Sequence, residues 1–353
     1  MINFNEIFRQ KPFLMENKDK NKWYLNNLKK LTIYHYKNCL EYKKFIDRLF
    51  NNFEKSKTID QLPYMHTNIF KKYNLKSNSN SKISATLSSS GTTSKTKSKV
   101  FLDKTTSLYQ SRALSIIFGN ILKDKYKIFF VDNINSVDSK AEFSARTAAI
   151  KGFYQFIKDP EYILDENNNL NLRPLQNFLD QNPNEIFIIF GFTSIIWNFL
   201  IQQLSKKENF NSNNGFVIHG GGWKKLKQQS VSREKFNLLI EKSLGIKKIY
   251  SYYGMVEQTG SVFLECEYGF YHSSIFSDII IRNKELKLAP INQKGIIQVM
   301  SLLPVSYPGH NILTEDIGIL HGVDDCKCGR KGKYFSVLGR VEGTEMRGCS
   351  DAY

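Results

Sequence analysis

No stretch of this chain is apolar for long enough to cross a bilayer. The longest apolar runs, such as Ile186–Phe190, fall far short of the roughly 20 residues that a spanning helix needs. Residues Met1–Lys11 mix charged and aromatic side chains without a continuous apolar core, so no secretory leader is expected. Cysteine is scarce and odd in number: Cys39, Cys266, Cys326, Cys328 and Cys349. Without an export signal, that set argues against a disulfide framework and for metal binding or thiol chemistry. The Walker pattern G-x-x-x-x-G-K-[ST] is missing too, which removes the P-loop nucleotide site. A cytoplasmic protein with no membrane span is expected.

What is present describes a packed globular protein, with 41% hydrophobic and 13% aromatic residues in 353. Acidic residues are outnumbered, 33 against 50 basic, giving a net charge of +17. The lysines are spread along the chain, with no helix-turn-helix or aromatic RNA-binding signature beside them, so no nucleic-acid function is expected. A basic surface of this kind suits an anionic nucleotide or an acidic partner protein.

Apolar residues at roughly helical spacing over Asp19–Phe50 predict one long helix or two short ones. Ile83–Leu87 reads as a strand running into a polar loop, and Ser107–Leu122 as an amphipathic helix. Strands and helices then alternate: Lys127–Val131, Ala141–Ile157, Ile186–Phe190, Thr193–Leu204, Phe216–Ile218, Val231–Leu244 and Ile249–Tyr253. Such alternation predicts an α/β fold with layered, mainly parallel sheets. From about Gly269 short strands take over (Ile279–Arg282, Gly295–Met300, Ile317–Leu320), predicting a smaller β-rich region. The organisation expected is a helical cap over 1–80, an α/β core over 81–268, a β-rich subdomain over 269–336, and a hinge with tail over 337–353.

Several segments carry candidate chemistry. Leu87-Ser-Ser-Ser-Gly-Thr-Thr-Ser-Lys-Thr-Lys-Ser-Lys99 follows an apolar strand. Its small hydroxyl residues around Gly91 leave backbone N–H groups open to phosphate oxygens, while the hydroxyls and lysines neutralise charge; a solvated linker would read the same. His219-Gly-Gly-Gly222 ends a strand and offers a wall free of side chains to a flat ring. In Tyr250-Ser-Tyr-Tyr-Gly-Met-Val-Glu-Gln258, Tyr253 can stack on a purine and Glu257 can hold Mg²⁺. In Thr314-Glu-Asp-Ile-Gly318, Asp316 offers a carboxylate to ribose hydroxyls. Each alone is equally a turn glycine or a surface acid.

Taken in order, these segments resemble the adenylate-forming superfamily of acyl-CoA synthetases and peptide-synthetase adenylation domains. A narrower resemblance, to LuxE-type acyl-protein synthetases, lies in Phe190-Gly-Phe-Thr193 with Trp197, His219-Gly-Gly-Gly-Trp-Lys-Lys-Leu226, Tyr253-Gly-Met-Val-Glu-Gln258 and Leu338-Gly-Arg-Val-Glu-Gly-Thr-Glu-Met-Arg-Gly-Cys-Ser-Asp351. The resemblance implies the fold of the large N-terminal domain of adenylate-forming ligases, with their mobile C-terminal domain absent or vestigial. It implies ATP and Mg²⁺, a carboxylic (fatty) acid substrate, and an acyl-accepting partner such as a fatty-acid reductase. It places nucleotide contacts on Ser89, Ser90, Gly91, Thr92, Thr93, Gly220, Gly221, Gly222, Tyr253, Gly254, Asp316 and Arg340, and catalytic roles on Glu257, Lys97 and Cys349. The loop departs from the wider superfamily at Ser94, where Gly is usual, and at Thr96, where Pro is common.

Cys349 lies close to the end of the sequence beside Arg347, a cation that can lower a thiol's pKa. On its own it reads as an incidental surface thiol; with the surrounding motif it reads as the acyl carrier. Cys266-x5-His272 and Cys326-x-Cys328 fit a closed tetrahedral zinc site of the structural kind, against the plainer reading of two buried cysteines and a surface pair. The leading function is therefore activation of an acid as its acyl-adenylate, followed by capture on Cys349. The alternatives are delivery to coenzyme A or a carrier protein, and a basic binding protein without catalysis. Phe190, Phe192, Ile195 and Trp197 fit either an acyl pocket or plain packing of a sheet.

Overall fold

The computed structural model describes residues 2–89, 97–135, 143–204 and 212–341. They divide into two compact units, one built from 2–89, 97–120 and 254–341 and the other from 121–135, 143–204 and 212–253. Among the described residues no helix is long and apolar enough to cross a membrane.

The second unit is the parallel layer that the alternating pattern predicts. Its strands run in the order Lys248–Tyr253, Gly215–Gly220, Phe187–Phe192, Tyr126–Phe130 and Ile157–Tyr162, each parallel to its neighbour. Phe187–Phe192 and Gly215–Gly220 are buried at every position, which is why they read as unbroken apolar runs. Helix Arg233–Leu244 is set by its ends: Ser232 accepts a bond from Lys235 N, and Gly245 stops it at φ 74°. Ile240 and Phe236 of that helix bury against Val217, Ile195 and Trp197 in one apolar cluster.

Two expectations change here. The helix predicted over Ala141–Ile157 spans only Ala145–Phe153, with 141–142 outside the described residues, and Ile157–Tyr162 is a strand. That strand contains Pro160 and escapes notice because its side chains do not alternate. It pairs on one side with Tyr126–Phe130 and is last in the strand order, where a missing N–H is tolerated. The helix predicted over Thr193–Leu204 is interrupted by a π-helical stretch, Ile196–Ile201.

The first unit is mainly antiparallel. Its strands run in the order Ser277–Arg282, Lys294–Ser301, Asn311–Val323, Lys333–Arg340, Tyr271–His272 and Phe263–Glu265, and Met65–His66 pairs parallel with Asn311–Val323. The strand expected over Ile317–Leu320 is longer because register shifts at Ile317/Gly318 and Leu320/Gly322 let it bend without ending. Leu338–Arg340, expected in a hinge, complete the strand paired with it. The N-terminal segment includes two longer helices, Asn17–Asn38 and Leu40–Leu49, and Tyr24 and Leu28 of the first are fully buried. Tyr24 donates to Phe276 O at 2.9 Å, and Lys20 to Ser277 O at 2.8 Å, so the helix is tied to the end strand of this sheet. A hairpin of Ile83–Ser88 and Lys99–Asp103 leads into helix Lys104–Phe118, whose N-cap is Asp103.

Candidate functional site

In the second unit, three neighbouring strands end side by side at their carboxyl edge, the place where open α/β sheets take ligands. Thr193 follows the first, Gly220–Gly222 the second, and Tyr253 ends the third. Gly191 is in register with His219, and Gly220 with Tyr252. The turn needs glycine for two separate reasons. A Cβ on Gly220 would run into the ring of Tyr252, and Gly221 sits at φ 75°. A Cβ on Gly222 would meet nothing within 4 Å, so the outer part of the turn is open.

The Thr193 hydroxyl is 2.9 Å from His219 Nδ1 and within 3.2 Å and 3.0 Å of the carbonyls of Gly220 and Gly221. One hydroxyl has one proton. If it donates to the carbonyls and accepts from Nδ1–H, every group is served, whereas the other tautomer forfeits a bond of about 1 kcal/mol. Burial depresses the His219 pKa to about 3, and Arg233 adds to the effect, so the ring is neutral. Phe190, Phe192, Ile195 and Trp197 are all buried. Phe190 packs among Phe130, Phe153 and Tyr252, and the other three lie in the apolar cluster with Phe236. All four thus pack within the layers of the second unit.

In the first unit, Ser89 and Ser98 clasp the mouth of the hydroxyl-rich loop. Ser89 N donates to Ser98 O at 3.1 Å, and Ser98 N to Ser89 Oγ at 3.0 Å. Lys97 is half-buried beside them, while Ser90, Gly91, Thr92 and Thr93 lie outside the described residues, as does Cys349. Glu257 sits in a short 3₁₀ turn and is buried; its backbone carbonyl accepts from Tyr307 at 2.9 Å, and Gln258 donates to Gly309 O at 2.8 Å. Gly254, just before the turn, packs on Val262.

Burial pushes the Glu257 carboxyl above its usual range, against hydrogen bonds from its own backbone and from the Ser98 side chain and the pull of Arg340, with Glu315 adding the least. A buried carboxylate is a hard oxygen donor of the kind that a divalent cation takes. Asp316 and Arg340 face each other across paired strands, with Arg340 Nε 3.3 Å from Asp316 Oδ1 and Nη1 3.8 Å from Glu315 Oε2. Sequence reasoning missed Glu315, which is buried and accepts a bond from Asn68 Nδ2 at 2.9 Å. The signal was available, since two consecutive acids within an apolar strand rarely both face water.

Cys266, His272, Cys326 and Cys328 come together as expected, their ligand atoms all within 4.8 Å of one another. Cys266 Sγ is 4.0 Å from Cys326 Sγ, and Cys328 Sγ is 3.4 Å from His272 Nε2. A tetrahedral zinc ion with ordinary bond lengths requires edges of about 3.8 Å between sulfurs and about 3.5 Å between sulfur and nitrogen. The donors fit. Burial, then the neighbouring thiols, push Cys328 up to about 12, and burial holds His272 neutral at about 3. Three thiols this close can all ionise only around a cation. The knuckle also grips the start of the chain: Arg330 stacks on Phe13 and donates to the carbonyls of Leu264 and Glu265, and Lys331 N donates to Phe13 O.

The long-chain-fatty-acid–luciferin-component ligase of Vibrio harveyi is 26% identical over 358 residues, covering 93% of this chain and 88% of that protein. Among solved structures, 2-hydroxyisobutyryl-CoA ligase in its postadenylation state with 2-HIB-AMP superposes with a TM-score of 0.69 at 14% identity, covering 93% of this chain and 69% of that one. Its open conformation with 2-HIB-AMP and CoA gives 0.68 at 14% identity, over 94% and 77%. These likenesses establish the adenylate-forming ligase fold. The acyl-protein synthetase family LuxE matches residues 3–353. On that match the chain belongs to the LuxE acyl-protein synthetase family, as an acid–thiol ligase.

Proposed function

We propose that this protein activates a long-chain fatty acid with Mg·ATP in the cytoplasm, captures the acyl group on Cys349, and hands it to a partner that reduces it. The observation that carries the reading is the Glu257 carboxyl, buried in the first unit of a chain whose residues 3–353 match the family. The name of the Vibrio harveyi relative supports the choice of acid.

An oxygen of the fatty carboxylate attacks the α-phosphorus of ATP; a P–O bond forms and pyrophosphate leaves. Glu257 would hold Mg²⁺, which neutralises phosphate charge when bound. Lys97 and the hydroxyl-rich loop 89–93 serve the phosphate oxygens, Asp316 and Arg340 the ribose, and Gly220–Gly222 with Tyr253 the adenine. Gly254 keeps the backbone after Tyr253 free of a side chain. The Cys349 thiolate then attacks the acyl carbon, AMP leaves, and a thioester remains that is still activated toward the next nucleophile. The Cys266–His272–Cys326–Cys328 cluster would hold zinc with four protein ligands, a closed structural site outside the reaction.

Incubation with ATP, Mg²⁺ and labelled palmitate tests the reading. Cys349→Ser is expected to retain acid-dependent pyrophosphate exchange and to lose hydroxylamine-labile label on the protein. Label that survives in the mutant would redirect the acyl group to another acceptor, coenzyme A first. A wild-type protein without exchange for any acid would leave only a non-catalytic role.

A further inference from the structure

We propose that Thr193 and His219 are positioning residues that lock the glycine turn 220–222 into the shape that receives adenine, so that this pair sets the affinity for ATP. The inference deepens the nucleotide reading above and rests on it. A run of three glycines has the most backbone freedom to lose and no side chains with which to hold itself. Here two consecutive carbonyls of the run turn back onto one hydroxyl, at 3.2 Å from Gly220 and 3.0 Å from Gly221. That hydroxyl is itself held from the other side by the His219 imidazole at 2.9 Å.

The anchor is well placed to be rigid. Thr193 opens the helix after Phe187–Phe192, a strand paired through Phe192 with Gly220, and both Thr193 and His219 are buried. The His219 ring packs against Phe236, with ring centres 4.9 Å apart. With Gly220 fixed beneath the Tyr252 ring and Gly221 committed to a left-handed conformation, the open part of the turn is Gly222, which borders the strand end carrying Tyr253. Neither Thr193 nor His219 need touch the nucleotide. Loosening either gives the turn alternative conformations, and ATP must then select the competent one, which weakens apparent binding in proportion to its population.

The test is calorimetric titration of Mg·ATP into the full-length protein, with pyrophosphate exchange run in parallel. Thr193→Val keeps the shape and removes the hydroxyl, and is expected to weaken ATP binding and raise the KM for ATP about tenfold. The KM for the fatty acid should stay close to the parent's, the urea midpoint should fall only by what the lost hydroxyl bonds contribute, and Thr193→Ser should restore both ATP affinity and midpoint. His219→Leu serves as the second variant should the valine protein not fold. It is expected to weaken ATP by a smaller factor, with His219→Asn, which keeps an N–H, recovering part of the loss. If the parent binds ATP and neither Thr193→Val nor His219→Leu changes its affinity, the positioning role is overturned while the nucleotide reading stands. If the parent binds no ATP, both fall together.

Discussion

Arg340 lies directly across the strand pair from Asp316, and its guanidinium spans from that carboxylate at 3.3 Å to Glu315 at 3.8 Å. A planar fork can bridge two acids in fixed relative positions, and a lysine cannot. Arg340→Lys should therefore reduce kcat/KM for ATP in pyrophosphate exchange by about 10- to 100-fold, or about 1.4–2.7 kcal/mol of transition-state stabilisation. A lysine enzyme as fast as the parent would mean that charge alone suffices there.

Glu257→Gln separates stability from activity. Because the folded carboxyl titrates above its ordinary value, the native state favours the protonated form. Its contribution is greatest below the unfolded pKa of about 4.5 and is lost as pH rises through the folded value. The neutral glutamine should therefore match the parent's urea midpoint near pH 4 and equal or exceed it at pH 7, while exchange falls at least about 100-fold. A glutamine protein less stable at pH 7 would show that the charged carboxylate holds the fold together.

Much of the site was legible before the fold was known, and the reason is chemical. The four Cys and His donors are residue types with few competing uses, so their spacing suggested the cluster that the fold assembles, whereas the Y-G-x-x-E segment stood out only through its order among the other segments and the resemblance that this order carries. The acid pair Glu315-Asp316 signalled that one of them is buried, but which partners Glu315 meets was not legible, since Arg340 and Asn68 are 25 and 247 positions away. The strand Ile157–Tyr162 stayed hidden for a related reason, as its place is fixed by pairing with Tyr126–Phe130 and not by its own pattern. The Thr193–His219 contact joins two strand ends, and periodicity within either strand says nothing about it.

The metal cluster predicts about one zinc per chain by elemental analysis. Cys326→Ser should lower the urea midpoint strongly, since structural metal contributes folding free energy directly. Because Arg330 and Lys331 of the knuckle hold Phe13, chelation should also expose the N-terminal segment to protease before the rest of the chain. Metal-free protein that resists both urea and protease as the parent does would remove the site.

Asp278 is fully buried between two lysines, 3.9 Å from Lys20 and 3.2 Å from Lys333. Burial alone would raise its pKa, yet the two cations hold it below the usual range, while Lys20 is lowered by its own burial to about 8. Asp278→Asn strands two cations and should destabilise by about 3–5 kcal/mol in urea unfolding. Lys20→Met should be much milder, because Lys333 still answers the carboxylate.

His35 and His310 stack in the first unit with ring centres 4.9 Å apart, both fully enclosed. Thr32, Tyr42, Ser77 and the carbonyl of Pro304 face them, and none of these is an acid. Burial lowers His35 to about 3 and holds His310 well below its usual value, so both stay neutral in the fold. Stability is then fully present above about pH 6.5 and is lost as pH falls toward 3, by up to about 1.4 kcal/mol per unit for each ring. His35→Gln should flatten that slope; an unchanged slope would place the acid sensitivity elsewhere.

The helix Asn17–Asn38 makes its defining contacts with residues that the ribosome adds much later. Asn17 N donates to Asp324 and Lys20 reaches Ser277, so the early helix meets partners 307 and 257 positions downstream. At ordinary elongation rates that is a wait on the order of 10–60 s. Throughout it, Tyr24, Leu28 and Leu31 have no sheet to cover them. The five parallel strands of the second unit, by contrast, all lie between residues 126 and 253, so that sheet can close while the first unit is still half made. Production of this protein should accordingly respond to translation speed and to chaperones that shelter apolar helices, with the nascent first unit as the species at risk of aggregation.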